Sequence, residues 1–448
     1  MVKWSGLKKM AIKNVSIVYP NKFTGGIACL AVHVLNSHLN SYRDIFSNVY
    51  FIENYSEIKN NDAILITLQY ENDYFNALKI VEELRLKNKN AIFIAGGPCA
   101  ISNPLPMAEF FDAFVIGEIE NTDILYELIN GNFNVQGVFL PSKLDEDKKI
   151  KRIYPKKLDV NNYPVKQQTH ESGAYGKAYL LEIGRGCIRK CGFCMAKCIY
   201  SPPRYRKIDD LKYLVDEGLK YTDANKVALI APSVSDYKNI LELCEYISEK
   251  NVLISPSSLR ADTVTDELLK LLNLKTLTIA PEAGSESLRN LIDKELNEES
   301  IFNAIEIAKK HGINTVKLYY MVGFPNETPE DISEIITLTK KIKERVRKVD
   351  VSINPMVPKP HTKFEMSEFN LNSKSTIKYI EKELKKSKVS VDYENFNSMV
   401  TQTILARGGL EISKALKITK TPSKLASYVD KNIYLSKLTK KPWGFIEL

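Results

Sequence analysis

A chain of 448 residues with 44% apolar content is long enough for two or three domains with ordinary cores. Its 63 basic and 54 acidic side chains leave a net charge of +9, a mild excess that suits RNA or another anionic partner without being evidence for one. No run approaches 18 apolar residues, so no membrane span is expected; the start Met1–Lys9 lacks the apolar core of a secretion signal, and seven cysteines read as reduced thiols of a cytoplasmic protein.

Residues 1–130 alternate strand and helix signals. Val15–Tyr19, Ala63–Leu68, Ala91–Ala95 and Ala113–Ile116 are short β-rich runs suited to a buried parallel sheet. Gly25–Leu35 and Tyr74–Lys87 carry helical apolar spacing between them. The pattern predicts a doubly wound, Rossmann-like α/β layer, whose ligands sit beyond the carboxyl ends of the strands. Gly96-Gly97-Pro98 and Gly117-Glu118-Ile-Glu120 follow two of these strands; they are either tight turns or places where backbone approaches a ligand. His33 and His38 fall on a predicted helix and read as structural.

Residues 131–175 are a polar linker, with Val138–Pro141 and Ile150–Pro155 expected to pair as a hairpin around the turn Asp145–Lys149. From 176 to 365 the alternation resumes, with strands expected at Ala178–Ile183, Lys226–Ala231, Asn251–Ser255, Lys275–Ala280, Thr315–Tyr320 and Val349–Ile353. Helices are expected at Ile240–Lys250, Asp266–Leu272 and Ser300–His311. Six β/α units predict a partial (β/α)6, TIM-type barrel with its site at the carboxyl ends of the strands. Residues 366–448 read as a helical, basic extension, with the aromatic segment Pro442–Leu448 covering a core or the barrel mouth.

Directly after the first barrel strand comes Gly184-Arg-Gly-Cys187-Ile-Arg-Lys-Cys191-Gly-Phe193-Cys194-Met-Ala-Lys-Cys198. Three thiolates spaced C-x3-C-x2-C on one loop can hold three corners of a 4Fe–4S cube and leave the fourth iron open. Structural zinc usually takes two separated ligand pairs, and a disulfide framework does not suit a reduced compartment. Gly184 and Gly186 would let the loop turn tightly, Phe193 would shield the cluster, and Arg185 would either screen its charge or lie on the surface. Cys198 as a fourth ligand would close the site; a packed thiol is the expected role.

This loop resembles the signature of radical S-adenosylmethionine enzymes. The strand-end segments extend the resemblance over most of the chain, to a branch with an N-terminal cobalamin-binding-like domain. The resemblance implies that Cys187, Cys191 and Cys194 ligate a 4Fe–4S cluster. Its open iron chelates S-adenosylmethionine, whose reductive cleavage releases a 5′-deoxyadenosyl radical. It further implies a low-potential reductant of ferredoxin or flavodoxin type. Pro281-Glu282-Ala-Gly284-Ser285 resembles the Glu-x-Gly-Ser element that reaches the amino group or ribose. Gly323-Phe324-Pro325-Asn-Glu327-Thr328 resembles the adenine-side segment. The usual Gly-Gly-Glu is replaced by Pro232–Asp236, which leaves Ser235 and Asp236 as candidate contacts. Ser258 and the forked donor Arg260 follow at the next strand end, Arg260 having a structural ion pair as its alternative. His361 is a candidate acid or base, with Arg204 and Tyr205 lining the site.

Gly96-Gly97 and Gly117–Glu120 resemble loops of cobalamin-binding domains. The Asp-x-His-x-x-Gly cobalt-ligating motif is absent, which leaves cobalamin open as a cofactor. Methylthiotransferases carry three further N-terminal cluster cysteines, whereas only Cys29 and Cys99 precede the signature here. The expected chemistry is therefore modification of an unassigned substrate by a radical enzyme. The transformation is either cobalamin-assisted methyl transfer or cobalamin-independent hydrogen abstraction, RNA modification included. The competing class is an iron–sulfur binding or electron-transfer module without radical chemistry.

Overall fold

The computed structural model describes residues 13–145 and 147–448. Met1–Lys9 and Glu146 of the charged turn lie outside the described residues. The N-terminal layer is a six-stranded sheet of β1 (Lys13–Val18), β2 (Ile45–Tyr50), β3 (Ala63–Thr67), β4 (Ile92–Gly96), β5 (Ala113–Val115) and β6 (Val138–Phe139), in the order β2-β1-β3-β4-β5-β6. The first five strands are parallel, and β6 closes the edge antiparallel to β5. β3 is buried along its whole length, as a strand covered on both faces must be. The order reverses between β1 and β3, and the carboxyl ends at such a switch point form a crevice. β2 went unpredicted because Ser47 and Asn48 interrupt its apolar run.

The expected hairpin does not form. Val138 and Phe139 pair with β5, while β7 (Ile150–Lys151) pairs in parallel with β17 (Ile446–Glu447). Two-residue strands have too little local hydrogen bonding to choose their own partner, so tertiary packing chose it.

Beyond the connector, β8 (Ala178–Glu182) leads through the short β9 (Gly184–Arg185) and β10 (Arg204–Tyr205). The arc continues with β11 (Lys226–Ile230), β12 (Leu253–Pro256), β13 (Leu277–Glu282), β14 (Thr315–Val322) and β15 (Lys348–Pro355), joined by β16 (Ser390–Asp392). All six predicted barrel strands are present and parallel within their sheets, but the arc is two sheets, β12-β11-β8 and β13-β14-β15-β16, with no ladder between β12 and β13 among the described residues. The barrel is open. Leu229, Ile279, Leu318 and Ile353, one from each of four strands, share its apolar core.

The extension is mostly helical. Every residue from Met399 to Arg407 of its helix Phe396–Arg407 is buried. It packs on the N-terminal layer, and Trp443 of the aromatic end also donates to Glu365 of the loop after β15 at 3.0 Å. Ile404, Leu405, Leu416 and Trp443 share one core with Leu78 and Val81 of helix Tyr74–Lys87.

Candidate active site

The cysteine loop leaves β9 and ends in helix Met195–Ile199, with Cys194 at its N-cap. Two glycines make the path feasible. A Cβ on Gly186, at φ +79°, would meet the carbonyl of Tyr200 at 2.4 Å, and one on Gly184 would meet Tyr205 at 2.5 Å. Cys187, Cys191, Cys194 and Cys198 are half-buried free thiols. The Arg189 amide donates to Cys187 Sγ at 3.4 Å, and the amides of Lys197 and Ala196, at the helix start, face Cys194. Burial pushes the thiol of Cys191 up, and Lys294 and Arg260 oppose that shift. N–H donors and nearby cations are what a cluster-bound thiolate needs, so the loop fits a 4Fe–4S group. Among the described residues no three His, Cys, Asp or Glu side chains converge on one ion; three corners of a cube do not have to. Cys198 lies on the helix after Cys194; burial raises its thiol, with Lys197 lowering it and Glu365 adding to the rise.

The loop is anchored on both sides. Arg189 pairs with Asp236, and with Asp262 at 3.0 Å, which fixes it to the segments after β11 and β12. Phe193 lies 6.1 Å from Phe324 in a small apolar cluster with Ala283, Ile292, Met356 and Phe364. The sequence thus placed Phe193 and Phe324 at one site, and the structure brings them together.

The remaining predicted contacts divide. Glu282, at φ +70°, is half-buried 3.2 Å from Lys294 Nζ; burial raises its carboxyl, and Lys294 pulls it back down. Arg260 has its fork occupied. It donates to Asp262 at 2.9 Å and to the carbonyls of Lys294 and Glu295 at 3.0 and 3.3 Å, which is the structural ion pair rather than a free carboxylate clamp. Ser235 bonds Thr263 at 2.5 Å, and Ser258 bonds the carbonyls of Ala231 and Pro232 at 3.2 and 3.0 Å; both hydroxyls serve the strand-end loops. Asp236 serves Arg189. His361 meets the carbonyl of Ser102 at 2.9 Å, and burial lowers its pKa. It pins the loop after β15 to the N-terminal layer and is not placed as an acid or base.

At Gly323, φ +88°, an added Cβ would meet Ser373 Oγ at 2.4 Å. Its amide donates to Glu327 Oε2 at 2.7 Å, and Pro325 carries the turn onward to the Thr328–Asp331 capping box. Burial pushes the Glu327 pKa up to about 7, above the ordinary 4.5. The fold therefore prefers the protonated acid. The stability this contributes is complete below pH ~4.5 and lost as pH rises through ~7. The melting temperature is expected to fall more steeply from pH 5 to 8 in the native protein than in Glu327→Gln; parallel melting profiles would remove that role.

Sequence reasoning missed a buried ion-pair hub. Arg185 donates to Glu118 at 2.7 Å, Glu120 at 2.7 Å and Glu182 at 2.9 Å. Arg204 and Arg152 also grip Glu118, and Arg206 grips Glu182. Arg185 is thus neither surface nor a simple screen. It joins the N-terminal layer to the barrel two residues before Cys187. Tyr205 packs on Gly184 and stacks on Tyr237.

Beside the hub lies a cavity of about 410 Å3, between the carboxyl ends of β3, β4 and β5 and the cysteine loop. Thr67, Gly96, Gly117, Arg185, Tyr200 and Pro232 are among its walls. Thr67 Oγ1 is buried with no hydrogen-bond partner among the described residues. Gly97 and Gly117, at φ +101° and +144°, are required by their own chain: a Cβ there would meet Leu68 O at 2.9 Å and Ile153 O at 2.1 Å. Gly96, by contrast with Gly97 and Gly117, faces open space, with its nearest contact, Val115, at 4.0 Å.

The radical SAM superfamily model matches residues 181–339, and the model for the N-terminal part of radical SAM proteins matches residues 29–154. The uncharacterized protein MJ0966 of Methanocaldococcus jannaschii is 61% identical over 95% of this chain and 96% of its own. The ribosomal protein uS12 methylthiotransferase RimO of Thermosipho africanus is 28% identical over 46% of this chain and 50% of its own. Among solved structures, the radical S-adenosylmethionine methyltransferase TsrM of Kitasatospora setae, with cobalamin and a [4Fe-4S] cluster bound, aligns with a TM-score of 0.55. It has 14% identity and covers 77% of this chain and 75% of its own. The chain belongs to the radical S-adenosylmethionine superfamily and is an enzyme. The family's cofactors are a 4Fe–4S cluster and S-adenosylmethionine. No helix among the described residues is long and apolar enough to cross a membrane.

Proposed function

We propose that Cys187, Cys191 and Cys194 hold the 4Fe–4S cluster, that Glu282 and the Gly323–Pro325 turn hold S-adenosylmethionine, and that the cavity beside them holds cobalamin for methyl transfer. The observation that carries the cobalamin reading is the cavity itself. It opens at the switch point of the N-terminal sheet, shares a wall with the cysteine loop, and contains the unpartnered hydroxyl of Thr67. Largely apolar walls with one unmet polar group suit a flat macrocycle bearing amide side chains. No protein side chain in the walls is a cobalt ligand in this reading, in keeping with the missing Asp-x-His-x-x-Gly motif and with His33 bound to the carbonyl of Ile27.

The cluster supplies the electron that cleaves S-adenosylmethionine, and cobalamin supplies a methyl carrier. The protein's part is placement. Glu282 offers a half-buried acceptor for the amino group or ribose hydroxyls, and Phe193 and Phe324 keep water from the loop. The Arg185 hub fixes one cofactor's wall against the other's ligands. A ferredoxin- or flavodoxin-like donor and a cytoplasmic setting complete the reading. Domains at 1–130, 131–175, 176–365 and 366–448 are proposed as its units.

The test is anaerobic reconstitution with iron and sulfide, followed by addition of hydroxocobalamin and gel filtration. About one corrinoid per chain is expected to co-elute, and Thr67→Val, which keeps the shape and loses the hydroxyl, should weaken retention about tenfold. With S-adenosylmethionine and a low-potential reductant added, S-adenosylhomocysteine should then form only with corrinoid present. 5′-Deoxyadenosine without any retained corrinoid would replace this reading with simple hydrogen abstraction.

A further inference from the structure

The charge of this protein is concentrated. Residues 410–441 contain eight lysines and two acids, a net +6, against +9 for the whole chain. Three of these lysines are spent at once: Lys417 pairs with Glu109, Lys420 with Glu82 and Lys441 with Glu365. Lys414, Lys424, Lys431 and Lys437 are exposed and have no carboxylate partner among the described residues. They sit on and between three successive helices, Leu410–Thr419, Pro422–Tyr428 and Lys431–Leu435. The buried faces of these helices, with Ile412, Leu416, Leu425 and Tyr434, join the core they share with the N-terminal layer. Their outer faces are therefore committed to solvent. Tyr428 stands among the lysines, 57% exposed.

The end of the extension meets the connector that leads to the cysteine loop. Lys149 of the connector donates to the carbonyl of Gly444 at 2.6 Å, and β7 pairs with β17. That pairing places exposed Lys151 beside the extension. From there the chain runs past exposed Lys156 and Lys157, where Arg204 donates to the carbonyl of Pro155 at 2.8 Å and Arg152 to that of Ser201. Ser201-Pro202-Pro203, exposed, is the exit of the cysteine loop.

We infer that the extension and the connector form one docking surface for RNA, which leads the polyanion to the rim of the radical site. Unpaired lysines spaced over several helices suit a phosphate backbone, and an exposed tyrosine among them suits an unstacked base. A membrane is the poorer partner. The exposed apolar side chains Ile418, Tyr428 and Ile433 are on three separate helices, so no amphipathic stripe long enough to lie in a bilayer surface is formed. The inference does not depend on the occupant of the cavity, because it concerns side chains that touch neither cofactor.

The experiment is fluorescence anisotropy of the full-length protein with a labelled, folded RNA transcript of about tRNA size, at 50 to 200 mM KCl. A flotation assay with phosphatidylglycerol vesicles runs beside it. Micromolar binding at 50 mM salt is expected, with a slope of log K against log salt of roughly −0.7 to −0.9 per phosphate engaged. Replacing Lys414, Lys424, Lys431 and Lys437 together by Gln should weaken binding at least tenfold and flatten the slope by about three. The melting temperature and S-adenosylmethionine cleavage should stay at their native levels. Absence of binding at 50 mM salt, equal binding and slope in the quadruple variant, or flotation with vesicles in place of RNA binding would each overturn the inference.

Discussion

Cys191→Ala is expected to leave a folded protein that assembles no 4Fe–4S cluster and cleaves no S-adenosylmethionine. Cys191 is the middle one of the three proposed ligands, half-buried near Lys294, Arg260 and Glu282. An alanine there removes one corner of the three, and Cys198, a helical turn beyond Cys194, is not expected to replace it. The fold should not notice: the side chain lost is small, and the loop is held by Arg189 through Asp236 and Asp262. Iron content, the visible absorption of the reconstituted protein and 5′-deoxyadenosine yield are the readouts. Normal iron loading with normal cleavage would show that the cube is held elsewhere. Cys198→Ala is the companion measurement, expected to keep both cluster and cleavage.

Arg185→Met should produce the largest loss of stability available from a single change near the site. The Arg185 side chain is 15% exposed and its three carboxylate partners, Glu118, Glu120 and Glu182, are 4%, 11% and 8% exposed. Removing one member of a buried ion network leaves uncompensated charge in low dielectric, at a cost of about 3–5 kcal/mol. With an unfolding entropy of roughly 2 cal/mol/K per residue over a chain of this length, the melting temperature should drop by about 3–5 °C. The same logic yields a sharper test. Glu118 keeps Arg152 and Arg204 and Glu182 keeps Arg206, whereas Glu120 has no other ion-pair partner among the described residues, so adding Glu120→Gln to Arg185→Met removes the stranded charge and the double variant should be more stable than the single one. If it is less stable still, the hub contributes by packing and not by charge.

How far the sequence reached depended on the range over which each feature is determined. The C-x3-C-x2-C loop was legible because its chemistry lies within eight residues, and the strands of the barrel because each is a local apolar run. Phe193 and Phe324 were recoverable as separate motif positions. The hub was not: Arg185 meets Glu118 and Glu120, which lie 67 and 65 residues away in sequence. The sequence held one signal for it, two glutamates flanking an isoleucine directly after a strand, a poor position for unpaired charge. Arg260 shows the opposite failure. Its forked donor was rightly singled out, but Asp262, two residues on, and the carbonyls of Lys294 and Glu295 had already filled it. Connector pairing failed because β6 and β7 are too short to specify partners, and the gap between β12 and β13 has no local signature at all.

The pairing of β7 with β17, and the core that helix Tyr74–Lys87 shares with helix Phe396–Arg407, carry a consequence for biosynthesis. A nascent chain emerging amino end first presents Leu78, Val81 and the edge of the connector long before their partners are translated. The N-terminal layer must therefore persist through most of synthesis with one apolar face uncovered. The final contacts to form are among the most distant in sequence, a topology that favours slow closure and a need for holding factors on the ribosome.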